Sequence, residues 1–419
     1  MINRNIQPTT QQVEHIAFVK PQIFDVTPAV KLLWMKEVPN DTVRLDLFFD
    51  AGITRGEQSL PAIVHSLLFS GTEAFSSVEI HDQIDSLGGF LDTDISFENA
   101  VVSIYCLKEN LLAIAHIVAD AINNCIFREN EVVDTLRSLE QRYKVNQQKV
   151  SNVAQQQFRK LLFASSESYS RLAALEDFQS PNNFGYRSFW KENYLNGLTR
   201  ITLVGDCGLD TVDELIDLFG KWAKDEPAKY EGDFAMTPQK IHFPKEDAVQ
   251  TAIRMGKFLF PKNHPDYLEF QVLSTILGDY FGSRLMTNIR EDKGYTYGIG
   301  TGNMELQRNG YFVIVTEVGK EVTEATLTEI KFELARLQTE LVGEEELSLV
   351  KNYMLGQLLK SADGPYAMLD MFNSVDMYGL DLTFYDQAIE KIKHVDAKRI
   401  HELAIKYLNW DDFLIVTAG

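Results

Sequence analysis

Cysteine is scarce in this chain: three in 419 residues (Cys106, Cys125, Cys207), an odd number with no Cys-x-x-Cys spacing. That excludes a disulfide framework and a cysteine-based zinc ribbon, and it suits a reducing compartment. Positive charge is also short. Forty Lys and Arg face 60 Asp and Glu, a formal net charge of −20, which excludes nucleic acid and anionic membrane as main partners because both select basic patches. No apolar run is long enough to cross a bilayer, and the opening MINRNIQPTTQQVEHIAF carries no leader-like apolar stretch. A soluble, cytoplasmic protein that does not engage a membrane is expected. The eight histidines include no His-x-x-x-His pair.

What is present is a long chain with 45% hydrophobic residues, enough to build a sizeable core, and a repeat hidden in its halves. Tyr194-Leu195-Asn196 precedes ITLVGD near the middle, and Tyr407-Leu408-Asn409 precedes FLIVTAG at the end. VRLDLFF (Val43 to Phe49) likewise has a partner in IRMGKFLF (Ile253 to Phe260). Both pairs repeat at nearly the same offset, so two copies of one unit are expected. The charged, proline-bearing stretch Lys221 to Lys240 lies at the natural junction. The division is an N-terminal domain over 1–225, a linker over 226–247 and a C-terminal domain over 248–419.

Each unit alternates strand and helix signals. Val43, Leu45, Leu47 and Phe49 share one strand face, with Arg44 and Asp46 pointing away. Ser76-x-x-Glu79 is a capping box opening a helix that carries Ile80, Ile84 and Leu87 and closes at Gly88-Gly89. Long helices are predicted over Glu129 to Leu162 and Glu321 to Leu341. The fold class is α+β: two homologous domains, each a mixed, mainly antiparallel sheet packed against helices.

The stretch SLPAIVHSLLFSG (Ser59 to Gly71) reads as a helix with Ser59 as N-cap, Pro61 in the first turn and Gly71 at the stop. Leu60, Ile63, Val64, Leu67 and Leu68 form a packing stripe. The stripe beside it, Ala62, His65, Ser66 and Phe69, would carry any chemistry, and it holds one imidazole and no carboxylate.

The strand, this helix and the following Phe69-Ser70-Gly71-Thr72 resemble the N-terminal domain of the insulinase/pitrilysin-type zinc peptidases, the inverzincins. In that family H-x-x-E-H precedes F-x-G-T; two histidines on one helix face bind zinc and the glutamate is the general base. The resemblance puts Ala62 at the first histidine, His65 at the glutamate and Ser66 at the second histidine. The third ligand is a glutamate on a later helix, where Leu136 to Arg142 offers Glu140 or Gln141. Where relatives often read His-Pro-Tyr-Gly, this chain reads Glu167-Ser168-Tyr169-Ser170. The resemblance therefore implies a degenerate zinc motif and no metal or other cofactor in this chain.

From Pro261, the run PKNHPDYLEFQVLSTILGDYFGSRLMTNIREDKGYTYGIG resembles the C-terminal domain of the same family. There an arginine and a tyrosine seven residues apart hydrogen-bond the substrate backbone; the matching residues are Arg290 and Tyr297. Both are donors suited to a peptide carbonyl and to developing oxyanion charge. Family substrates add as an extra strand to exposed sheet edges. The matching edges are Gly89 to Asp94, centred on Leu91, Asp92 and Thr93, and Tyr297 to Gly302, including Gly298 and Ile299. Asp92 stands where relatives usually carry Asn.

Short two-domain members of this family commonly work as pairs in which one subunit carries zinc. The resemblance thus implies a non-catalytic, substrate-binding subunit of a heterodimeric zinc peptidase acting on unfolded peptides. Its partner would be a homologous chain carrying H-x-x-E-H and the zinc. Two alternatives stand beside it: a structural or assembly subunit, as the related core subunits of respiratory cytochrome c reductases are, and an atypical metallopeptidase built on His65.

Overall fold

The computed structural model describes residues 13–36, 41–57 and 59–419. The opening residues 1–12, part of the segment read above for a leader, lie outside them. No helix among the described residues is long and apolar enough to cross a membrane.

The first half supplies strands β1 (Gln22–Asp25), β2 (Lys31–Met35), β3 (Thr42–Phe49), β4 (Phe90–Ile95), β5 (Ala100–Leu107) and β6 (Leu198–Val204). Its helices are α1 (Leu60–Leu67), α2 (Ser77–Ser86), α3 (Leu111–Asn123), α4 (Glu129–Gln148), α5 (Val150–Leu162), the single turn α6 (Glu167–Ser170), α7 (Asn183–Asn193) and α8 (Leu209–Phe219). The second half supplies β7 (Gln239–Phe243), β8 (Gln250–Leu259), α9 (Tyr267–Leu277), a π-helical segment Met286–Asp292, β9 (Ile299–Glu305) and β10 (Gly310–Gly319). Helices α10 (Thr323–Thr339), α11 (Glu344–Ser361), α12 (Pro365–Asp376), α13 (Thr383–His394) and α14 (Ala397–Tyr407) follow, and β11 (Leu414–Ala418) closes the chain.

The first sheet runs β1-β2-β6-β3-β5-β4 and the second β7-β11-β8-β10-β9. Leaving out β1, the two orders match strand for strand. So do the directions: β2–β6 and β7–β11 are the parallel pairs, and every other pair is antiparallel. The repeated sequence pairs fall on β3 and β8, and on β6 and β11. Strand β7 lies inside the stretch read as linker, because Gln239 to Phe243 pair with β11; the segment 224–238 before it has no helix or strand.

Local signals explain most elements. Ser76 and Glu79 form the capping box of α2, and Gly88 ends it at φ +65°, a conformation glycine reaches without Cβ strain. The long helix expected from Glu129 breaks at Lys149, whose extended backbone (φ −88°, ψ 122°) separates α4 from α5.

That break has a purpose in packing. Helix α5 leaves the first sheet and lies across β8 and β11 of the second, where Phe158, Leu162 and Phe163 pack with Val313, Leu414 and Val416. Reciprocally, α12 of the second half crosses the first sheet. Asp370 pairs with Arg44 at 2.9 Å, Arg200 donates to Asn373 at 3.2 Å and to Asp376 at 2.5 Å, and Tyr366 donates to the Thr42 hydroxyl at 2.8 Å. The second face of β3 is therefore interior. Asp46, expected to point away from the core, is fully buried and held by Arg44 and Thr202 at 2.9 Å each.

The turns of the two edge hairpins also meet. Buried Glu98, between β4 and β5, accepts from the backbone N–H of Gln307, between β9 and β10, at 3.0 Å and from the Tyr169 hydroxyl at 2.6 Å. Burial pushes the Glu98 carboxyl up. Tyr169, in the degraded His-Pro-Tyr-Gly stretch, is thus a joint between the halves.

Candidate functional site

Helix α1 starts at Leu60 because Pro61 pre-sets the first turn and cannot donate backward. Ser59 does not cap it: its hydroxyl donates instead to Asp177 at 2.8 Å, and no side-chain cap forms. The packing stripe is as expected, with Ile63, Val64, Leu67 and Leu68 buried. Of the neighbouring stripe, Ala62 is half-buried and Ser66 exposed, and the Ser66 hydroxyl donates to the Ala62 carbonyl at 2.9 Å.

His65 is a core residue, 6% exposed. Its Nδ1 lies 2.9 Å from the Tyr194 hydroxyl, the two rings stack, and its Nε2 is buried without a protein partner. Burial lowers its pKa to about 4, so the imidazole is neutral at pH 7.

This donor set does not fit zinc. A first ligand would have to be a methyl group (Ala62), a second a hydroxyl turned to its own helix (Ser66), and the imidazole between them is engaged with Tyr194. Zinc takes thiolate, imidazole or carboxylate ligands, three or four at once. Among the described residues, no three His, Cys, Asp or Glu side chains converge on a metal position.

The helix expected to carry the third-ligand position is α4. Glu140 on α4 pairs with Lys144 at 2.8 Å and is not among the residues that line the cleft beside His65 and Ser66. The α4 residues that line this cleft are Glu131 and Thr135, while Val132 and Leu136 pack in the core shared with α1. Glu131 and Glu140 are nine positions apart, about half a turn out of phase on a helix. A cleft of about 190 Å³ lies here between α1, α2, α4 and β4; Ser70, Ser77, His81 and Thr93 line it with His65, Glu131 and Thr135. Tyr194, Glu131 and His81 were not among the site residues expected from the sequence. Two of them had a usable signal: Glu131/Thr135 and Ser77/His81 are i,i+4 pairs, each one helix face.

Both expected edge strands are sheet edges: β4 ends the first sheet and β9 the second. On β4, Leu91 and Thr93 border the cleft. The Thr93 N–H bonds to the Asp92 carboxylate at 3.0 Å rather than to β5, so Asp92 occupies a donor that an added strand would use. On the second edge, the Gly298 carbonyl accepts from Thr296 and Thr316 at 2.9 Å each, and Ile299 is buried with its N–H 3.5 Å from the Met286 sulfur.

Arg290 and Tyr297 sit on opposite sides of a turn through Gly294, which adopts φ +66°. Arg290 lies on the π-helical segment, its guanidinium 4.5 Å over the exposed Phe281 ring and 2.9 Å from Glu291. Tyr297 is 94% exposed and borders a separate groove of about 430 Å³ with Ser151, Arg254 and Glu317. Arg290 is not among the residues that line this groove.

Comparison with known proteins agrees with this architecture. Residues 32–174 match the family described as insulinase (peptidase family M16), and residues 186–354 match the peptidase M16 inactive domain. An uncharacterized zinc protease of Rickettsia felis is 25% identical over 334 residues, covering 77% of this chain and 79% of its own. One of Bacillus subtilis is 22% identical over 373 residues, covering 87% and 91%. The fold is close to that of a peptidase M16 inactive domain from Pseudomonas fluorescens, with TM-score 0.86 and 20% identity over 95% of this chain and 98% of the other. A protease from Helicobacter pylori gives TM-score 0.83 and 15% identity over 96% and 100%. With both halves matched, the chain belongs to the insulinase, or peptidase M16, family.

Proposed function

We propose that this chain is the non-catalytic, substrate-binding subunit of a two-chain insulinase-type zinc peptidase, with the metal held by a homologous partner that carries H-x-x-E-H. The observation that carries this reading is the side-chain set on α1: Ala62, a buried neutral His65 bonded to Tyr194, and Ser66. Zinc in the partner would polarise the scissile carbonyl and activate water. This chain would supply positioning. Extended, unfolded peptide would pair with a sheet edge, β4 or β9, and Arg290 and Tyr297 would donate to the peptide backbone and the developing oxyanion.

The test is reconstitution with the H-x-x-E-H homologue. The chain alone should cleave no peptide, the pair should, and Arg290→Ala or Tyr297→Phe should lower kcat/KM of the pair by about 10²-fold. Unchanged turnover in both variants contradicts the role given to those residues.

One observation favours a second reading, a scaffold subunit without a part in the chemistry: Arg290 is already held by Phe281 and Glu291. The same two variants separate the readings, because a scaffold predicts full turnover in each.

A further inference from the structure

The cleft beside His65 and Ser66, between α1, α2, α4 and β4, has a chemistry of its own. Its wall is rich in hydrogen-bond acceptors: the Glu131 carboxylate together with the hydroxyls of Ser77, Thr93 and Thr135. Among the described residues, no lysine or arginine lines it. His65, more than nine-tenths buried, lines it with an Nε2 that has no protein partner, and the second imidazole in the wall, His81, has its Nδ1 2.8 Å from the Ser77 carbonyl. At about 190 Å³ the pocket is smaller than the roughly 300–1,000 Å³ of a small-molecule site. It has room for one side chain.

The pocket opens along β4. Leu91 and Thr93, two residues apart, both line it, so this is one face of the edge strand. A peptide paired to that edge would place alternate side chains on the same face, one of them beside Thr93 and over Glu131. The outward N–H of Thr93 is the donor such a peptide would use, displacing Asp92.

We propose that this cleft is a specificity pocket that takes a single lysine or arginine side chain from an extended peptide paired to β4, with Glu131 as its counter-charge. The inference rests on the edge-strand recognition proposed above. A cationic head satisfies the acceptor-rich wall, whereas an apolar side chain leaves Glu131 desolvated and an acidic one faces it with like charge. The chain's net charge of −20 favours the same class of peptide.

The test uses the full chain and labelled unstructured peptides identical except for one central residue, lysine, norleucine or glutamate, followed by fluorescence anisotropy. The lysine peptide should bind about tenfold tighter than the norleucine peptide, as one charge-assisted hydrogen bond supplies, and the glutamate peptide weakest. Glu131→Gln should erase the preference, and Glu140→Gln, on the opposite face of α4, should keep it. Thr93→Pro removes the outward N–H without touching the ladder to β5 and should abolish binding of all three peptides. Equal affinity for lysine and norleucine, or a lysine preference that survives Glu131→Gln, overturns the pocket. If Thr93→Pro still abolishes binding in that case, edge-strand recognition stands and only the pocket falls. Absence of binding by every peptide overturns the pocket together with the reading beneath it.

Discussion

The Tyr194 hydroxyl lies 2.9 Å from Nδ1 of His65, joining the end of α7 to the helix that would carry the zinc motif. Burial pushes the Tyr194 phenol up and holds His65 down at about 4. An imidazole in this setting is a packing residue with one polar contact.

This pair makes stability depend on pH with a defined sign. The unfolded histidine titrates near 6.5 and the folded one near 4, so the folded state binds fewer protons between those values. The contribution is complete above pH 6.5 and is lost as pH falls towards 4, by about 3 kcal/mol at most. His264, also lowered chiefly by burial, adds a slope of the same sign. Urea unfolding across a pH series should therefore show wild type losing more stability on acidification than His65→Gln; equal slopes would contradict a buried neutral His65.

Much of this architecture was legible in the sequence, because its signals are local. The alternation of Val43, Leu45, Leu47 and Phe49 specified a strand face, the Ser76/Glu79 capping box specified a helix start, and the repeated strands specified a duplicated unit. What lay beyond reach was which sheet each helix covers. Periodicity marks α5 and α12 as amphipathic, yet says nothing of their crossing to the opposite half, so Asp46 read as outward-facing when it is buried. The site shows the same division. Ala62, His65 and Ser66 are neighbours on α1 by helical spacing alone, whereas which α4 residues line the cleft beside them depends on a helix phase that sequence leaves free; Glu131 and Thr135 do so.

The exchange of helices makes Gly256 of β8 a point of contact between halves. A Cβ there would meet the Phe158 ring of α5 at 2.7 Å and the Phe312 carbonyl oxygen. Gly256→Ala should destabilise the protein by about 1–3 kcal/mol through overpacking. Because the two residues touch, a double-mutant cycle with Phe158→Leu should depart from additivity by more than about 0.5 kcal/mol. Additive losses in thermal or urea unfolding would mean that α5 does not rest on this strand.

Asp266 organises the helical layer of the second half. It accepts from Arg399 and Lys406 at 2.7 Å each and from Tyr407 at 2.5 Å. Burial would raise its carboxyl, but the hydrogen bonds from Lys406, Tyr407 and Arg399 outweigh it and hold the group below the usual carboxylate range. Asp266→Asn should cost about 1–2 kcal/mol through weakened charge-assisted hydrogen bonds, since Lys406 is solvent-exposed and Arg399 keeps Glu269. The carboxylate contribution is present above the unfolded pKa and fades as pH falls below it, so the gap between wild type and variant should narrow in acid. A gap that is constant with pH would assign the loss to packing instead.

On the function proposed above, the metal of the assembled peptidase resides in the partner and not on α1 of this chain. The most direct measurement is zinc content by plasma mass spectrometry, on the purified chain and on the complex co-purified from its native source, with peptidase activity followed before and after chelation. The chain alone should hold no stoichiometric zinc and cleave nothing, with zinc and activity appearing only with the H-x-x-E-H partner. One zinc per chain in the isolated protein, removed by chelator together with peptidase activity, would contradict it.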